Sequence, residues 1–578
     1  MNKLYHKLPF ILELFINGFF IFLYSFYKAN KFASSFIDPE IIESTLHLLK
    51  YFAPVVIMIV IVSNYLRSQN IDEFIRKYIF SFVCIVPILI TLGDIQFTFW
   101  LSAVHLFSSV LSLYEGAQEH LVVKQKEKKL KTSVLDKIKL APAQIVILSF
   151  SIIIILGTLL LSLPISSVEG KSIGFIDAFF MATSATCVTG LSTLSLADNF
   201  SFVGQIVILI LIQIGGLGYM TLYSSMTILL GKSLAVRDQV LMQDLLDINS
   251  FEDLVNMIKS IIKYTLVIEL IGAVILSIAF SFQGQEFSQA LYYGIYHSVS
   301  AFCNAGFALF NNSFEDYAVS PLIHGTISCL IILGGLGFIV LKELEYIIRN
   351  RRKLVNLSVH SKVVLTVNLS LIVFVALYFF FSEYLHALTS YTLWEQIQLS
   401  LFQSITARTA GFNTISFNAL HPHTVYLVCL VMFIGASPGS TGGGIKTTTF
   451  AILFQSVKAT LRGKDKVEFF DRTVPNIIVV RAIAIIVISL ILVSFFILLM
   501  MRIEPEHDFL SVFFEVVSAF ATVGLSLGIT PYLSAGGKLT IILIMFIGRV
   551  GPLTLFLAIA QKNDSGNVDY PEGRVMIG

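Results

Sequence analysis

Residues 300–307, Ser-Ala-Phe-Cys-Asn-Ala-Gly-Phe, end an amphipathic stretch of three or four helical turns on a glycine, Gly306. The phrase returns three more times: SATCVTGL at 184–191 ending on Gly190, TARTAGF at 406–412 on Gly411, and SAFATVGL at 518–525 on Gly524. These glycines stand 116, 105 and 113 residues apart. Between 24 and 28 residues after each, a second signal sits inside the next apolar run: IGGLG at Gly215, LGGLG at Gly334, IGASPG at Gly435 and IGRVG at Gly548. Two independent signals keep one phase four times. The unit is span, half-helix, glycine loop, span, repeated within one chain. Each half-helix falls short of the roughly 20 residues that a crossing needs.

Composition sets the surroundings. Of 578 residues 56% are apolar and only 13% charged, about half the roughly 25% of a soluble globular protein. Mean hydropathy is +0.83. A soluble enzyme could not clothe its surface from this chain, and the apolar excess excludes disorder. The 39 basic and 37 acidic residues leave a net charge of +2, so no nucleic-acid partner is expected. Cys84, Cys187, Cys303, Cys329 and Cys429 form no CxxC pair and read as reduced packing residues. HExxH and GxSxG are absent and the eleven histidines are scattered, so no enzyme is expected and no catalytic residue is assigned. The class is an all-α polytopic membrane protein.

Four candidate spans, about 8–27, 45–65, 74–92 and 96–115, make residues 1–116 an N-terminal membrane domain. Lys3 and Lys7 precede the first run, and no clean cleavage site follows it, so a retained span is expected. Residues 117–142 form a basic linker. The repeats then occupy 143–232, 258–344, 358–462 and 478–562, with a tail at 563–578. The loops 231–263, 342–362 and 458–481 carry clusters of Lys and Arg, whereas the opposite connections hold few. The basic side is therefore cytoplasmic, with both termini, and every half-helix enters from outside.

Non-helical backbone at membrane depth is tolerated only inside protein or along a water-filled path. Four glycine loops around one axis supply such a path: their carbonyls can replace a cation's hydration shell, and the half-helix carboxyl ends favour positive charge. Close helix packing through small residues is the plain alternative for any one of these glycines. Four in register, each in a segment too short to span, favour a pseudo-fourfold cation filter.

The motifs CVTG, CNAG with Phe307, ARTAGFNT, ATVGLS, the run IGASPGSTGGGIKTTT and the closing YPEG resemble the Trk/Ktr/HKT superfamily, specifically its bacterial TrkH/KtrB pore subunits, over roughly residues 140–578. The resemblance implies a potassium-uptake pore in the cell membrane, with potassium as substrate and no organic cofactor on this chain. It implies one filter glycine per repeat: Gly190, Gly306, Gly411 and Gly524. Val188, Thr189, Asn304, Ala305, Thr409, Ala410, Thr522 and Val523 would supply carbonyls. Gly190, where sodium-transporting relatives carry serine, implies potassium preference. A homodimer, a cytoplasmic ring of TrkA/KtrA-type nucleotide-binding subunits and a lipid surround are the implied partners. Sodium- or proton-coupled symport on the same scaffold is the alternative; a carboxylate on the path, which it would want, is not evident. The four-span amino-terminal quarter departs from the family pattern, and its role does not carry over.

The third repeat interrupts its own inner span. Pro438 and the five glycines Gly435, Gly439, Gly442, Gly443 and Gly444 cannot hold a regular helix. Apolar flanks keep the break, with Ser437, inside the bilayer, where the family places an intramembrane gate. Ile445 stands where glycine must precede Lys446 in a nucleotide-binding loop, which excludes that reading. Arg549 falls at the corresponding place in the fourth repeat, opposite Gly216, Gly335 and Ala436, and is read as a latch on the loop. Asp177, Gln403 and Glu515 are expected to brace the filter or cap backbone, and His297 to be structural. Arg408 is expected to point away from the bore.

Overall fold

The computed structural model describes residues 142–218 and 251–559, preceded by parts of 13–25, 39–67 and parts of 95–109. The expected span 74–92, nearly all of the linker 117–142, the loop 219–250, the tail 563–578 and Cys84 lie outside the described residues.

The described chain is helical apart from one two-residue hairpin, Glu468–Phe469 with Arg472–Thr473. Four times a long helix, a short helix and an inner helix follow in order. The long outer helices are Pro142–Leu161, Phe251–Phe282, Val359–Glu383 and Asn476–Ile503. The short ones are Phe175–Cys187, Phe287–Phe302, Leu393–Thr406 and Phe509–Ala521. The inner ones are Phe202–Leu217, Pro321–Leu336, Pro422–Phe433 and Ala535–Val550. Serine caps with hydroxyls on backbone N–H groups start the first and fourth inner helices, at Ser201 and Ser534, and a Thr392–Glu395 capping box starts the third short helix.

Helices long and apolar enough to cross a membrane are Thr45–Ser63, Met257–Phe282, Val359–Glu383 and Asn476–Ile503. The inner helices are shorter, and the second, third and fourth are each followed by a break before the chain turns helical again. The second turns through 105° at Gly337 into Phe338–Arg349. Gly218, Gly337 and Gly551, at φ 77°, 93° and 91° and ψ 135°, 141° and 134°, share one conformation closed to side chains. Sequence reading locates a break only in the third repeat, where proline announces it. In the second the bend rests on a single glycine inside an otherwise apolar run, and in the fourth the helix stops at Gly551-Pro552.

Each inner helix packs on the short helix of its own repeat or the next, and the fourth returns to the first. The buried clusters lie at these junctions. One joins Tyr296 and Phe307 to Met181 and Ile212, a second joins Phe302 and Ile331 to Phe402 and Phe412, and a third joins Phe417 and Met432 to Phe514 and Phe520. Lipid offers apolar side chains no less than the interior does, so this closure relies on close packing rather than on burial from water. Gly215, Gly334 and Gly548 provide it. A Cβ at each would lie under 3.0 Å from the carbonyl oxygen of Thr186, Phe302 or Phe520, at the end of a short helix. Here the close-packing role weighed for glycine applies, to the second signal rather than the first.

Of the amino-terminal quarter, Phe20, Tyr24, Leu46, Ala53 and Phe99 form a separate buried cluster, and His105 Nδ1 lies 2.6 Å from Glu13 Oε1.

Candidate functional site

The short helices stop three to five residues before their glycines. Two residues before each glycine the backbone turns left-handed: Val188 at φ 56°, Asn304 at 58°, Thr409 at 75° and Thr522 at 51°. Gly190, Gly306, Gly411 and Gly524 follow at 96°, 71°, 77° and 91°. Asparagine tolerates this region, but β-branched valine and threonine do so at a cost of about 1–3 kcal/mol each. Strain recurring at one register of four repeats belongs to a site, not to a single awkward turn.

The loops hold their shape through the helix ends. Thr189, Ala305 and Val523 donate their N–H to the carbonyls of Ser184, Ser300 and Ser518 at 2.8, 2.8 and 2.9 Å, and Ala410 to Thr406 O at 3.1 Å. The same residues contribute their hydroxyls. Ser184 and Ser518 accept from Gly190 and Gly524 N–H at 3.1 Å, while Ser300 and Thr406 donate to Phe307 and Phe412 O at 2.8 and 2.6 Å. Ser184, Ser300, Thr406 and Ser518 head the four recurring phrases, yet sequence reasoning gave them no role; their own fourfold repetition was the available signal.

The glycines close a ring in chain order. A Cβ at Gly190 would lie 2.6 Å from Ala305 O, and one at Gly306 2.9 Å from Ala410 O; Gly411 meets Val523 O and Gly524 meets Thr189 O, both under 3.0 Å. Any side chain would therefore strike the next repeat's backbone. Above the ring opens a cavity of about 310 Å³ lined by all four glycines and by polar groups including Asn311, Glu315, Asn413 and Ser526. Below it the hydroxyls of Thr189, Thr409 and Thr522 are buried without a protein partner among the described residues. Backbone oxygens and unengaged hydroxyls, with no carboxylate between them, suit a weakly hydrated cation in transit rather than a tightly held one.

The 435–444 loop lies directly beneath. A Cβ at Gly442 would meet Thr409 Oγ1, and one at Gly443 would meet Thr522 Oγ1, both under 3.0 Å. The loop folds back on itself through Gly435 N–H to Ile445 O at 2.8 Å and Ala436 N–H to Gly443 O at 3.2 Å. It docks on the bend of the second inner helix: Ser437 and Thr441 donate to Gly335 and Gly334 O at 3.1 and 3.2 Å, and Phe338 N–H donates to Gly439 O at 3.0 Å. Ser437 Oγ also accepts from Asn368 Nδ2 at 3.1 Å, and Lys446 Nζ reaches Gly442 O at 2.8 Å. Pro438 O lies close to Gly337, where a Cβ would sit at 2.5 Å. Arg549 donates through Nη1 to Thr441 O at 2.5 Å and through Nη2 to Gly215 O. One guanidinium thus bridges the loop and the first inner helix.

Polar residues on the short helices divide. His297, Gln403 and Glu515 share a register and each supports the chain beyond a ring glycine. His297 Nε2 accepts from Leu309 N–H at 3.1 Å, with Nδ1 2.8 Å from Tyr293 O. Gln403, its amide oxygen turned to accept, takes the Thr414 and Ile415 N–H groups at 3.2 Å. Glu515 takes the hydroxyls of Ser526, at 2.7 Å, and Thr530. Asp177 does not join them: it pairs with Lys538 Nζ at 2.7 Å, tying the first short helix to the fourth inner helix. Arg408 is buried, reaches toward Gly435 O at 3.5 Å, and lines a small cavity with Asn368 and Ala436.

The family described as TrkH, cation transport protein, matches residues 117–569. The chain belongs to this family. Ktr system potassium uptake protein B of Bacillus subtilis is 39% identical over 450 residues, 78% of this chain and 99% of the relative. The potassium/sodium uptake protein NtpJ of Enterococcus hirae is 37% identical over 76% of this chain and 98% of its own length. The crystal structure of the potassium transporter TrkH from Vibrio parahaemolyticus superposes with a TM-score of 0.57 at 18% identity, covering 89% of this chain and 97% of the other, a likeness of fold. The family match begins at residue 117, just beyond the membrane domain expected at 1–116.

Proposed function

We propose that this chain is the ion-conducting subunit of a Trk/Ktr-type potassium-uptake system, with four filter segments arranged pseudo-fourfold about one pore. The observation that carries this reading is the ring in which each glycine faces the preceding carbonyl of its neighbour. Ala305, Ala410, Val523 and Thr189 present their oxygens at the junctions, with Val188, Asn304, Thr409 and Thr522 one step below. The 39% and 37% identical relatives, named for potassium and for potassium/sodium uptake, support the substrate class. The membrane potential supplies the drive, about 2.3 kcal/mol per 100 mV for each monovalent cation.

In this reading the loop from Gly435 to Gly444, with Ser437 and Pro438 docked at the Gly337 bend, is the gate. Arg549 and Lys446 hold it shut and place positive charge below the filter. The basic loops face the cytoplasm of a cell-membrane protein. Relatives named as components of a Ktr system support separate regulatory subunits on that face, of the TrkA/KtrA nucleotide-binding type, and a homodimer of pore chains fits the family.

Gly190→Ser tests the filter. Its Cβ would stand 2.6 Å from Ala305 O, so the ring must open on one side, and sodium is expected to pass more readily relative to rubidium. Relative rubidium and sodium uptake into liposomes by the purified variant measures this. A folded variant with the parent's selectivity removes Gly190 from the filter.

A further inference from the structure

Three of the histidines that are scattered in sequence meet at one place. Glu383, the last residue of the third outer helix, is buried; its Oε1 accepts from the His421 N–H at 3.0 Å and from the Thr424 hydroxyl. Its Oε2 lies 3.0 Å from Nδ1 of His386, one turn further on. His421 immediately precedes the third inner helix, and its ring stacks on His386 with centroids 3.9 Å apart. His423 lies against His421 at 5.1 Å, with Nε2 held 2.8 Å from Ser382 Oγ. One donor atom from each of Glu383, His386 and His421 falls within 4.8 Å of the others.

Helix capping accounts for Glu383 Oε1. It does not account for Oε2 set 3.0 Å from His386 Nδ1, nor for the His386 and His421 rings gathered beside one buried carboxylate. We propose that Glu383, His386 and His421 form a binding site for a zinc-class divalent cation, separate from the ion path, at the end of the third repeat nearest the mouth. Two imidazole nitrogens and one carboxylate oxygen are a known three-ligand set for zinc, with water completing the tetrahedron. Imidazole favours zinc, copper and nickel over magnesium and calcium. Bonds of about 2.0–2.2 Å set tetrahedral donors roughly 3.3 Å apart, so the cluster must contract. His386, its side chain 46% exposed, is free to turn, while Thr424 and the His421 N–H fix the carboxylate. The bound metal would fasten the third outer helix to the inner helix that runs into the 435–444 loop.

Zinc chloride titrated into the tag-free full chain in detergent, followed by calorimetry, tests the site. One zinc per chain with micromolar affinity is expected, and magnesium chloride should give no saturable signal. His386→Ala and His421→Ala, which leave the Glu383 anchor and the His421 N–H in place, should each weaken zinc by at least about tenfold. Equal metal-free melting temperatures for parent and variants would exclude misfolding as the cause. Undiminished zinc binding in both variants, or no saturable binding by the parent, would overturn the assignment. Because the readout is binding rather than flux, it stands or falls independently of the transport reading.

Discussion

Arg549 donates hydrogen bonds to Thr441 O and Gly215 O, the two bonds on which closure of the loop rests in the proposed reading. Arg549→Ala removes both. A hydrogen bond to a charged group contributes about 1.5–3 kcal/mol. The two share one guanidinium and are not independent, so the lower total, about 3 kcal/mol, is the safer figure. At about 1.4 kcal/mol per decade, that shifts the closed-to-open equilibrium of the loop roughly 100-fold. Loss of a positive charge beneath the filter acts in the same direction, since it removes a repulsion on the permeating cation. Rubidium uptake into potassium-loaded liposomes, normalised to incorporated protein, should therefore rise steeply, up to the point where the loop is open most of the time. Lysine keeps the charge but cannot present the planar fork that reaches both carbonyls. Arg549→Lys should retain about one of the two bonds and lie about tenfold above the parent. Flux from Arg549→Ala equal to that of the parent would refute the latch and with it the placing of Thr441 in the ion path.

Gly548→Ala places a methyl under 3.0 Å from Phe520 O at a helix–helix contact with no room to yield, so a loss of about 1–3 kcal/mol is expected, read as a lower melting temperature in detergent. Alanine at Gly325, where a Cβ meets nothing within 4 Å, is the control and should be neutral or stabilising. Asp508 caps the fourth short helix through Ser511 N–H at 3.3 Å, and the Ser511 hydroxyl, helped by that N–H, holds its carboxyl below the usual aspartate range. Its contribution is therefore present above the unfolded value and lost as pH falls through the folded one. Between about pH 5 and about pH 3 the melting temperature of the parent should fall more than that of Asp508→Asn, which keeps an uncharged cap.

The glycine phase was legible because it answers a steric demand that no other residue meets: at Gly190, Gly306, Gly411 and Gly524 a Cβ would strike a neighbouring carbonyl. The break at Pro438 was legible for the same kind of reason, a missing donor among glycines. The motif marks Val188, Thr409 and Thr522 but not their conformation, since their propensities oppose the left-handed backbone they adopt. Only the surrounding packing imposes it. The 105° turn at Gly337 was hidden because its flanks, Leu336 and Phe338, read as one continuous apolar run. Asp177 with Lys538 spans 361 positions, and His386 with His421 spans a whole short helix and its loop, distances at which local pattern carries no information. Gln403 and Glu515 were expected to brace the filter and do reach the chain beyond it, whereas Asp177 serves the seam between the first and last repeats.

The ring of carbonyls is assembled from four stretches of one polypeptide, and this frees it from a constraint that binds assemblies of identical subunits. There, any substitution is imposed at every corner together, so an obstruction built into one corner is built into all. Here the quarters are written separately. The third has a stretch one residue shorter between its helix-end hydroxyl and its glycine, and it alone carries the glycine-rich run 435–444. The fourth alone carries an arginine at that depth, and the first and second offer backbone for these to grip, at Gly215, Gly334, Gly335 and Phe338. Unequal corners permit a single off-axis shutter latched from one neighbouring corner, and in the proposed reading they let mutation alter the shutter without touching the ring oxygens.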